Sequence, residues 1–346
     1  MNIDVLHKIA VAMVAPGKGI LAADESSSTI KKRFDAIGVE STAENRRDYR
    51  EMLFRTTDAM RNHISGVILF DETIRQSAKD GTPLVKLIEQ SGSIPGIKVD
   101  AGAKPQAAFP GEQITEGLDG LRERLAEYHK LGARFAKWRA VIDIGRGGSM
   151  AIPSWGSIRA NAHALARYAA LCQEAGIVPI VEPEVLMDGD HDIDRCFEVT
   201  EMTLKTLYAE LFEACVMLEG TILKPNMVIA GKKSPKQANA AEIAEKTVRC
   251  FRRTVPAAVP GIVFLSGGQS DEEATANLNA MSAGYRSVMP WALSFSYGRA
   301  LQAAPQKAWS GKPENVPAGQ RAFAHRARMN SLAQLGEWSD GLEKAP

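Results

Sequence analysis

One pattern recurs eight times along this chain and restricts what it can fold into. A short apolar or β-branched run ends in a polar residue, and a segment with helical spacing follows. The runs cover residues 19–24, 64–71, 94–100, 134–142, 177–184, 221–228, 261–267 and 287–296. Short, nearly continuous apolar runs are typical of parallel strands that are buried on both faces. Their alternation with helices predicts a parallel sheet.

The segments between the runs carry helix signals. Apolar residues recur every three or four positions in residues 115–131, and Gly132 follows as a stop signal. Residues 158–175 repeat this design, and residues 192–219 form a long stretch without proline. The pair Ser234-Pro235 predicts another helix start, with serine as N-cap and proline at the first helical position.

Eight alternations favour a closed (β/α)8 TIM barrel of the α/β class, with an open doubly wound sheet as the alternative. The length of 346 residues suits one barrel with extensions, and no linker divides the chain. We therefore expect a single domain over residues 1–346. Residues 305–319 precede a last helix near residues 320–335, and the tail 336–346 is expected to be loosely ordered. Residues 303–346 are thus predicted to form a C-terminal extension outside the barrel.

Composition argues against several functional classes. The 42 basic and 41 acidic side chains leave a net charge of +1, which does not support a nucleic-acid surface. No apolar run approaches the roughly 18–20 residues of a membrane helix, and residues 1–4 do not resemble a signal peptide. Cysteines lack CxxC spacing, so reduced and mostly buried thiols in a cytoplasmic protein are expected. They are Cys172, Cys196, Cys215 and Cys250.

The polar residues that end the runs are candidate site residues, because catalysis in this fold occurs at the C-terminal ends of the strands. Most of them are charged: Asp24, Lys98, Asp100, Lys137, Arg139, Glu182, Glu184 and Lys224. Residues two apart on a strand share a face, so six of these form three same-face pairs. Charges inside a barrel are unfavourable unless they are paired. A compensated cluster of both signs is expected for a site and unusual for a core.

Lys224 stands among apolar residues, in the segment 220–229. A single lysine is usually solvated, but these neighbours argue against simple exposure. A lysine in a dry site beside another cation, which Lys137 could supply, loses its proton more readily. The neutral amine can then attack a ketone. Glu182 and Glu184 would either face solvent or cap the next helix, or serve as acid and base while a carbinolamine forms and dehydrates.

Glycine-rich turns follow the last two runs. Ser266 precedes Gly267 and Gly268 after the seventh run, and Gly298 precedes Arg299 after the eighth. Backbone N–H groups of such turns can approach an anion, phosphate sites of this fold commonly follow strands seven and eight, and arginine adds a fork-shaped charge. An ordinary turn is the alternative for the first segment. After the first run, Ser26 or a neighbour could also cap a helix.

Metal and nucleotide signatures are missing from the sequence. Residues 145–148 do not complete GxGxxG, and no GxxxxGK[ST] segment occurs. The six histidines are scattered, without an HxxH or HExxH pair, so no metal site is expected.

Seven blocks of this sequence look like class I fructose-1,6-bisphosphate aldolase. The blocks cover residues 19–26, 96–100, 135–139, 181–184, 223–227, 264–269 and 295–302. They follow the order of the family with compatible spacing. The resemblance covers the chain from about residue 19 to residue 302.

The resemblance implies a lyase that cleaves its substrate through a Schiff base and needs neither a metal nor another cofactor. Lys224 would form the Schiff base with the C2 carbonyl. Glu182 would act as acid and base in forming and dehydrating the carbinolamine, and Lys137 would assist through its charge. Asp24 would orient the C4 hydroxyl and help the C3–C4 bond to break. A protonated imine is an electron sink, and a class II enzyme would use a metal instead.

The resemblance also implies binding roles. Glu184 and Asp100 would hold the cationic network in place. The ketone-end phosphate would be bound by Ser266, Gly267, Gly298 and Arg299, with Gly268 in the same turn. The other phosphate would lie near Ser26, Thr29, Lys98 and Arg139. The expected partner is a small phosphorylated sugar, without nucleic acid or membrane, and the family is usually homotetrameric and acts in glycolysis and gluconeogenesis.

Three departures from the family pattern bear on rate and substrate preference. The animal enzymes end in a tyrosine that aids proton exchange, whereas this chain ends with residues 342–346 as Leu-Glu-Lys-Ala-Pro. Residues 27–29 replace a usual Thr-Gly-Ser, and Ala101 stands where the family has lysine. An aldolase for another phosphorylated ketose, or a barrel kept as a binding scaffold, are the competing hypotheses. The intact set of Lys137, Glu182 and Lys224 argues against the scaffold.

Overall fold

The computed structural model describes residues 2–148 and 150–344. Its centre is a closed barrel of eight parallel strands, each paired with its neighbours in chain order, with the last strand paired to the first. The strands are β1 (Gly19–Ala23), β2 (Ile64–Leu69), β3 (Ile94–Lys98), β4 (Phe135–Ile142), β5 (Val178–Val185), β6 (Ile222–Leu223), β7 (Gly261–Phe264) and β8 (Ala292–Tyr297). The predicted (β/α)8 barrel is confirmed, and the open sheet is excluded.

Helices surround this barrel. They are α1 (Ile3–Met13), α2 (Ser27–Asp35), α3 (Ala43–Phe54), α4 (Thr57–His63), α5 (Asp71–Ile74), α6 (Leu84–Gln90), α7 (Leu121–Lys130), α8 (Trp155–Glu174), α9 (Ile193–Glu213), α10 (Ala240–Thr254), α11 (Asp271–Tyr285), α12 (Arg299–Trp309), α13 (Val316–Leu335) and α14 (Asp340–Glu343). Two small hairpins pair Ala103–Pro105 with Gln113–Thr115 and Gly145–Gly147 with Met150–Ile152. Within the described ranges, no helix combines the length and the apolar character that a membrane span needs.

Two helix starts differ from the sequence prediction. The helix expected over residues 115–131 begins only at Leu121, because Gln113–Thr115 pairs as a strand and Gly120 adopts a left-handed conformation at the helix start. The helix expected at Ser234 begins at Ala240, where the Asn239 side chain accepts a hydrogen bond from the Glu242 N–H at 2.9 Å.

The ends of two other elements also differ. The Asp192 side chain caps α9, accepting a hydrogen bond from the Arg195 N–H at 2.8 Å. That helix ends at Glu213 rather than at residue 219, because Cys215 adopts a positive φ of 55°. The last strand begins at Ala292, since residues 286–288 form a turn of 3-10 helix.

Three of the four cysteines are buried, as predicted, and Cys215 is exposed.

The C-terminal segment is more ordered than the sequence suggested. α12 runs through Pro305, so all of residues 305–309 are helical, and α13 packs against α11 and α12. After α13, Glu343 in α14 accepts hydrogen bonds from Arg326 at 2.5 Å and from the Trp338 indole at 2.9 Å. The expectation of a loose tail is therefore wrong for residues 336–344, and residues 345–346 lie outside the described part.

Helix α1 covers the N-terminal end of the barrel and packs against the side chains inside it. Leu6, Ala10 and Met13 of α1 and the following Val14 pack with inward-facing residues of the strands, including Phe135. The Phe135 ring needs space that only glycine leaves on β3, since a Cβ added at Gly96 would overlap this ring. Side chains therefore close the N-terminal end, and polar chemistry is confined to the opposite end.

We expect Gly96→Ala to lower the free energy of unfolding by about 1–3 kcal/mol, the usual effect of overpacking a dense core. Urea unfolding followed by circular dichroism measures the change. Gly284→Ala is the matched control, because an added Cβ on this α11 glycine meets nothing within 4 Å. That control should be neutral or stabilising by up to about 1 kcal/mol. Equal stability of the two variants would show that Phe135 has room to move.

Candidate functional site

A cavity of about 230 Å³ opens at the C-terminal ends of the barrel strands. Predicted site residues that line it are Asp24, Ser26, Thr29, Lys98, Lys137, Arg139, Glu182, Glu184, Lys224, Ser266, Gly267, Gly298 and Arg299. Asp100 lies just behind this wall, where it pairs with Lys98 and Lys137. Gly268 lies outside the lining, beside Met187. The structure thus brings together side chains that are far apart in sequence.

Lys224 lies at the mouth of the barrel, directly after the two-residue strand β6. The strand ends there because Pro225 has no N–H group for the ladder. The Lys224 nitrogen is 3.2 Å from Glu182 Oε1, and only 5% and 4% of the two side chains are exposed. The side chain of Asn226 accepts from the Val185 N–H at 3.0 Å and anchors the segment to β5. Lys224 is therefore buried and paired, as its apolar neighbours predicted.

Lys137 of β4 is the centre of the charge cluster. Its nitrogen is 2.8 Å from Asp24 Oδ2, 3.4 Å from Glu182 Oε2 and 3.9 Å from Asp100 Oδ2. Burial lowers the pKa of the Lys137 amine, but these three carboxylates outweigh burial and raise that pKa above its usual value. Lys137 therefore keeps its positive charge at neutral pH.

Asp24 is the ionised partner of this lysine. Burial raises the pKa of its carboxyl group, but the charges of Lys137, Lys224 and Lys98 outweigh burial and hold that pKa well below its usual value. Glu182 bridges the two lysines, with one oxygen towards each. Its Oε2 makes no conventional hydrogen bond within the described chain. This carboxylate is thus within reach of the Lys224 nitrogen and retains a free acceptor position.

The outer charges of the cluster are paired as well. The Lys98 side-chain nitrogen lies 2.7 Å from Asp100 Oδ1. Asp100 Oδ2 accepts a hydrogen bond from the backbone N–H of Arg139 at 3.3 Å. The Arg139 guanidinium forms an ion pair with Glu184. Burial lowers the pKa of Arg139, but Glu184 outweighs burial and raises that pKa above its usual value. The compensated cluster of both signs that the sequence predicted is therefore present.

The two ends of the cavity differ in how they could bind an anion. At one end, Gly267 follows β7, and Gly298 links β8 to Arg299, the first residue of α12. Gly268 has a φ of +76°, a conformation that favours glycine. At the other end, Ser26 caps α2, accepting from the Thr29 N–H at 3.4 Å while its Oγ lies 3.1 Å from Thr29 Oγ1. The capping role of Ser26 is confirmed, and both hydroxyls still line the cavity.

Two charged residues of this region were not predicted. Glu25 is buried and pairs with Arg33 of α2 and with the buried Arg50. Arg33 lines the cavity beside Gly298. A signal for Arg33 was present in the sequence, because it follows Ser26 by seven residues and therefore lies on the same helix face. The partners of Glu25 come from other elements and leave no local signal.

The ionised Asp24 predicts a change in acid stability. Because its folded-state pKa is lowered, Asp24 contributes stability above the usual carboxyl range and loses it as the pH falls. When the pH falls from about 6 to about 3, the free energy of unfolding decreases in both proteins. The decrease should be about 1 kcal/mol smaller for Asp24→Asn than for the unsubstituted chain. Urea unfolding at several pH values measures this difference. Asp58→Asn, on the exposed surface of α4, is the control, and an Asp24→Asn profile that matches it would contradict the prediction.

In residues 2–148 and 150–344, no group of three or more histidine, cysteine, aspartate or glutamate side chains has an arrangement suited to holding a metal ion. The polar groups of the cavity instead pair positive with negative side chains. Their arrangement places a buried amine beside a carboxylate, with cationic groups towards both ends.

Comparison with known proteins gives a consistent result. The sequence model described as fructose-bisphosphate aldolase class-I matches residues 5–345. A probable fructose-bisphosphate aldolase class 1 from Xanthomonas campestris is 60% identical over 339 residues, covering 98% of this chain and 99% of that relative. Fructose-bisphosphate aldolase 6, cytosolic, from Arabidopsis thaliana is 55% identical over 335 residues, covering 97% of this chain and 92% of that protein.

Solved structures agree with this result. A co-crystal structure of fructose-bisphosphate aldolase from Plasmodium falciparum, in complex with TRAP and a small-molecule inhibitor, matches with a TM-score of 0.95. It is 50% identical in sequence, and the match covers 98% of this chain and 96% of that one.

Proposed function

Because the chain belongs to the class-I fructose-bisphosphate aldolase family, a family of lyases, we propose that it cleaves fructose 1,6-bisphosphate through a Schiff base on Lys224. The products are dihydroxyacetone phosphate and glyceraldehyde 3-phosphate, and the reaction is reversible. One observation carries this proposal. The buried Lys224 nitrogen lies 3.2 Å from Glu182, whose other oxygen lies 3.4 Å from the charged Lys137.

Schiff-base formation uses Lys224 and Glu182. Glu182 accepts a proton from the Lys224 ammonium, and the neutral amine adds to the C2 ketone to give a carbinolamine. Glu182 then returns a proton to the carbinolamine hydroxyl, which leaves as water and gives a protonated imine. The charged Lys137 amine lies 3.4 Å from the second oxygen of Glu182 and holds this carboxylate beside Lys224.

Bond cleavage uses Asp24. Its carboxylate stays ionised and can accept the proton of the C4 hydroxyl. As the C3–C4 bond breaks, its electron pair moves into the protonated imine and the aldehyde is released. The resulting enamine takes up a proton at C3, and addition of water to the imine frees the ketone product and regenerates the Lys224 amine.

The ends of the cavity are suited to two phosphates. Ser266, Gly267, Gly298 and Arg299 are proposed for the ketone-end phosphate, with Gly268 shaping the same turn. Ser26, Thr29, Lys98 and Arg139 are proposed for the other one. Glu184 and Asp100 hold Arg139 and Lys98 through the ion pairs described above. Each of these two cations still has N–H groups outside its ion pair, and phosphate oxygens can accept hydrogen bonds from them.

We further propose that the enzyme is cytoplasmic, homotetrameric and active in glycolysis and gluconeogenesis, with a phosphorylated sugar as its small-molecule partner. Family membership and the cytosolic relative from Arabidopsis thaliana support this view.

Borohydride trapping tests the proposal. The protein is incubated with dihydroxyacetone phosphate, reduced, digested and analysed by mass spectrometry, and cleavage of fructose 1,6-bisphosphate is assayed in parallel. The reduced adduct should map to the peptide that holds Lys224, and cleavage should persist with a strong chelator. Cleavage without an adduct, or an adduct on another lysine, would refute the mechanism. Kinetics on other phosphorylated ketoses determine which substrate is preferred.

A further inference from the structure

A second cavity lies at the other end of the barrel, away from the catalytic charges. It is bounded by α1 and the turn after it, by the start of β8, and by the ends of α11 and α13. Its volume is about 490 Å³, which is within the range of small-molecule sites and larger than the catalytic cavity. None of the predicted site residues contributes to it.

The walls of this cavity are mainly apolar. They include Val11, Val14, Met289, Trp291, Leu293 and Leu335. Val11 is 47% exposed although it is a large apolar residue, and it faces a concave surface rather than standing alone. Apolar walls of this kind bind hydrocarbon and exclude strongly hydrated molecules such as sugar phosphates.

Two polar side chains, Arg286 and Ser282, lie at one edge of this mainly apolar cavity. Arg286 donates one hydrogen bond to the Gln334 carbonyl at 3.0 Å and forms no ion pair with any described carboxylate. Ser282 precedes it by four residues at the end of α11, so the two lie on one face. The Ser282 hydroxyl is buried, and in the described structure it has no hydrogen-bond partner.

His7 and Gln334 are the other polar side chains of the wall, and both have hydrogen-bond partners. His7 Nδ1 lies 3.1 Å from the Glu219 carbonyl oxygen. Gln334 accepts from the Gly17 N–H at 2.7 Å and donates to the Leu293 carbonyl at 3.0 Å. Along the α11 edge, in the part of the chain that the structure describes, Arg286 and Ser282 therefore supply the open donors. A guanidinium and a hydroxyl at the edge of an apolar cavity match a ligand that has an apolar body and one terminal carboxylate.

We propose that this cavity binds a medium-chain aliphatic carboxylate. The hydrocarbon part of this ligand lies against α1 and the start of β8, and its carboxylate accepts hydrogen bonds from Arg286 and Ser282. A cationic amphiphile is disfavoured by Arg286, and a neutral alcohol forgoes the charged hydrogen bonds. The site is separate from the catalytic cavity and does not depend on the reaction proposed above.

Calorimetric titration of the full chain with decanoate and with decanol tests this assignment. Decanoate should bind at least about tenfold more tightly than decanol, because hydrogen bonds to a charged group contribute that much. Arg286→Met should weaken decanoate binding by about tenfold or more and leave decanol unchanged. Arg286→Lys should retain most of the affinity, and Arg252→Met, a nearby exposed arginine outside the cavity, should retain all of it.

Four outcomes would overturn the proposal. These are equal affinity for decanoate and decanol, unchanged decanoate binding in Arg286→Met, displacement of decanoate by inorganic phosphate, and binding only to dissociated subunits. The third would place decanoate among the catalytic cations, and the fourth would identify the cavity as a contact between copies of the chain. Cleavage activity should be the same in Arg286→Met as in the unsubstituted protein, so failure of this proposal is distinguishable from failure of the proposed function.

Discussion

Replacing Lys224 with methionine is expected to reduce cleavage of fructose 1,6-bisphosphate by roughly 10⁴-fold or more, as the loss of a covalent nucleophile does in other enzymes. Methionine retains an apolar stem of similar length but has no amine. The borohydride-trapped adduct with dihydroxyacetone phosphate should disappear as well. A coupled spectrophotometric assay and mass spectrometry of the intact protein measure the two effects.

Lys137, the other buried lysine of the cavity, cannot take over as the nucleophile when Lys224 is replaced. Lys137 faces three carboxylates, its pKa is raised, and it therefore stays a protonated ammonium without a lone pair for attack. Lys86→Met is the control, because Lys86 is exposed on α6 and forms a surface ion pair with Glu89. This control should keep full activity. Activity of Lys224→Met within tenfold of the control, or an adduct that forms elsewhere, would show that Lys224 is not the nucleophile.

Glu182→Gln should lower the cleavage rate by about 10²–10⁴-fold, the usual contribution of a general acid–base group. Glutamine has the same shape but cannot accept the proton of the Lys224 ammonium or return one to the carbinolamine hydroxyl. The rate at which the trapped adduct forms should fall with the cleavage rate, while its position on Lys224 stays the same. Quenched time courses with borohydride measure this rate.

Glu89→Gln on the surface of α6 is the matched control for this substitution. It removes a carboxylate from an exposed ion pair, which contributes little. Lys137 retains Asp24 and Asp100 in Glu182→Gln, so the variant keeps most of its charge compensation and should fold. An adduct that forms at the unsubstituted rate would exclude Glu182 from the carbinolamine steps, and circular dichroism checks that the fold is intact.

The barrel and much of its site could be predicted because the relevant signals are local. Parallel strands buried on both faces leave short apolar runs, and the residues that end such runs meet at one rim by the geometry of the fold. Lys98, Lys137 and Glu182 could therefore be placed at one end of the barrel from their positions alone. Family resemblance added the roles, which depend on chemistry rather than on spacing.

Other features depend on contacts that a local pattern does not record. The hairpin strands have three residues each, too few for a period to be recognised. Ser234 has the side chain of a helix cap, but Asn239 serves as the cap. The side chain of Gln237 donates to the carbonyls of Gly231 and Ser234 and holds the intervening segment in turns. The pairing of Glu25 with Arg50 likewise joins elements that meet only after folding.

The pairing of β1 with β8 joins the start of the chain to its end and affects how the protein emerges during synthesis. Until β8 leaves the ribosome, the sheet has two open edges, at β1 and β7. Such edges are templates for pairing with other chains. A nascent or prematurely terminated chain that stops before Ala292 would therefore be an aggregation-prone client for chaperones and proteases, rather than an enzyme of reduced activity.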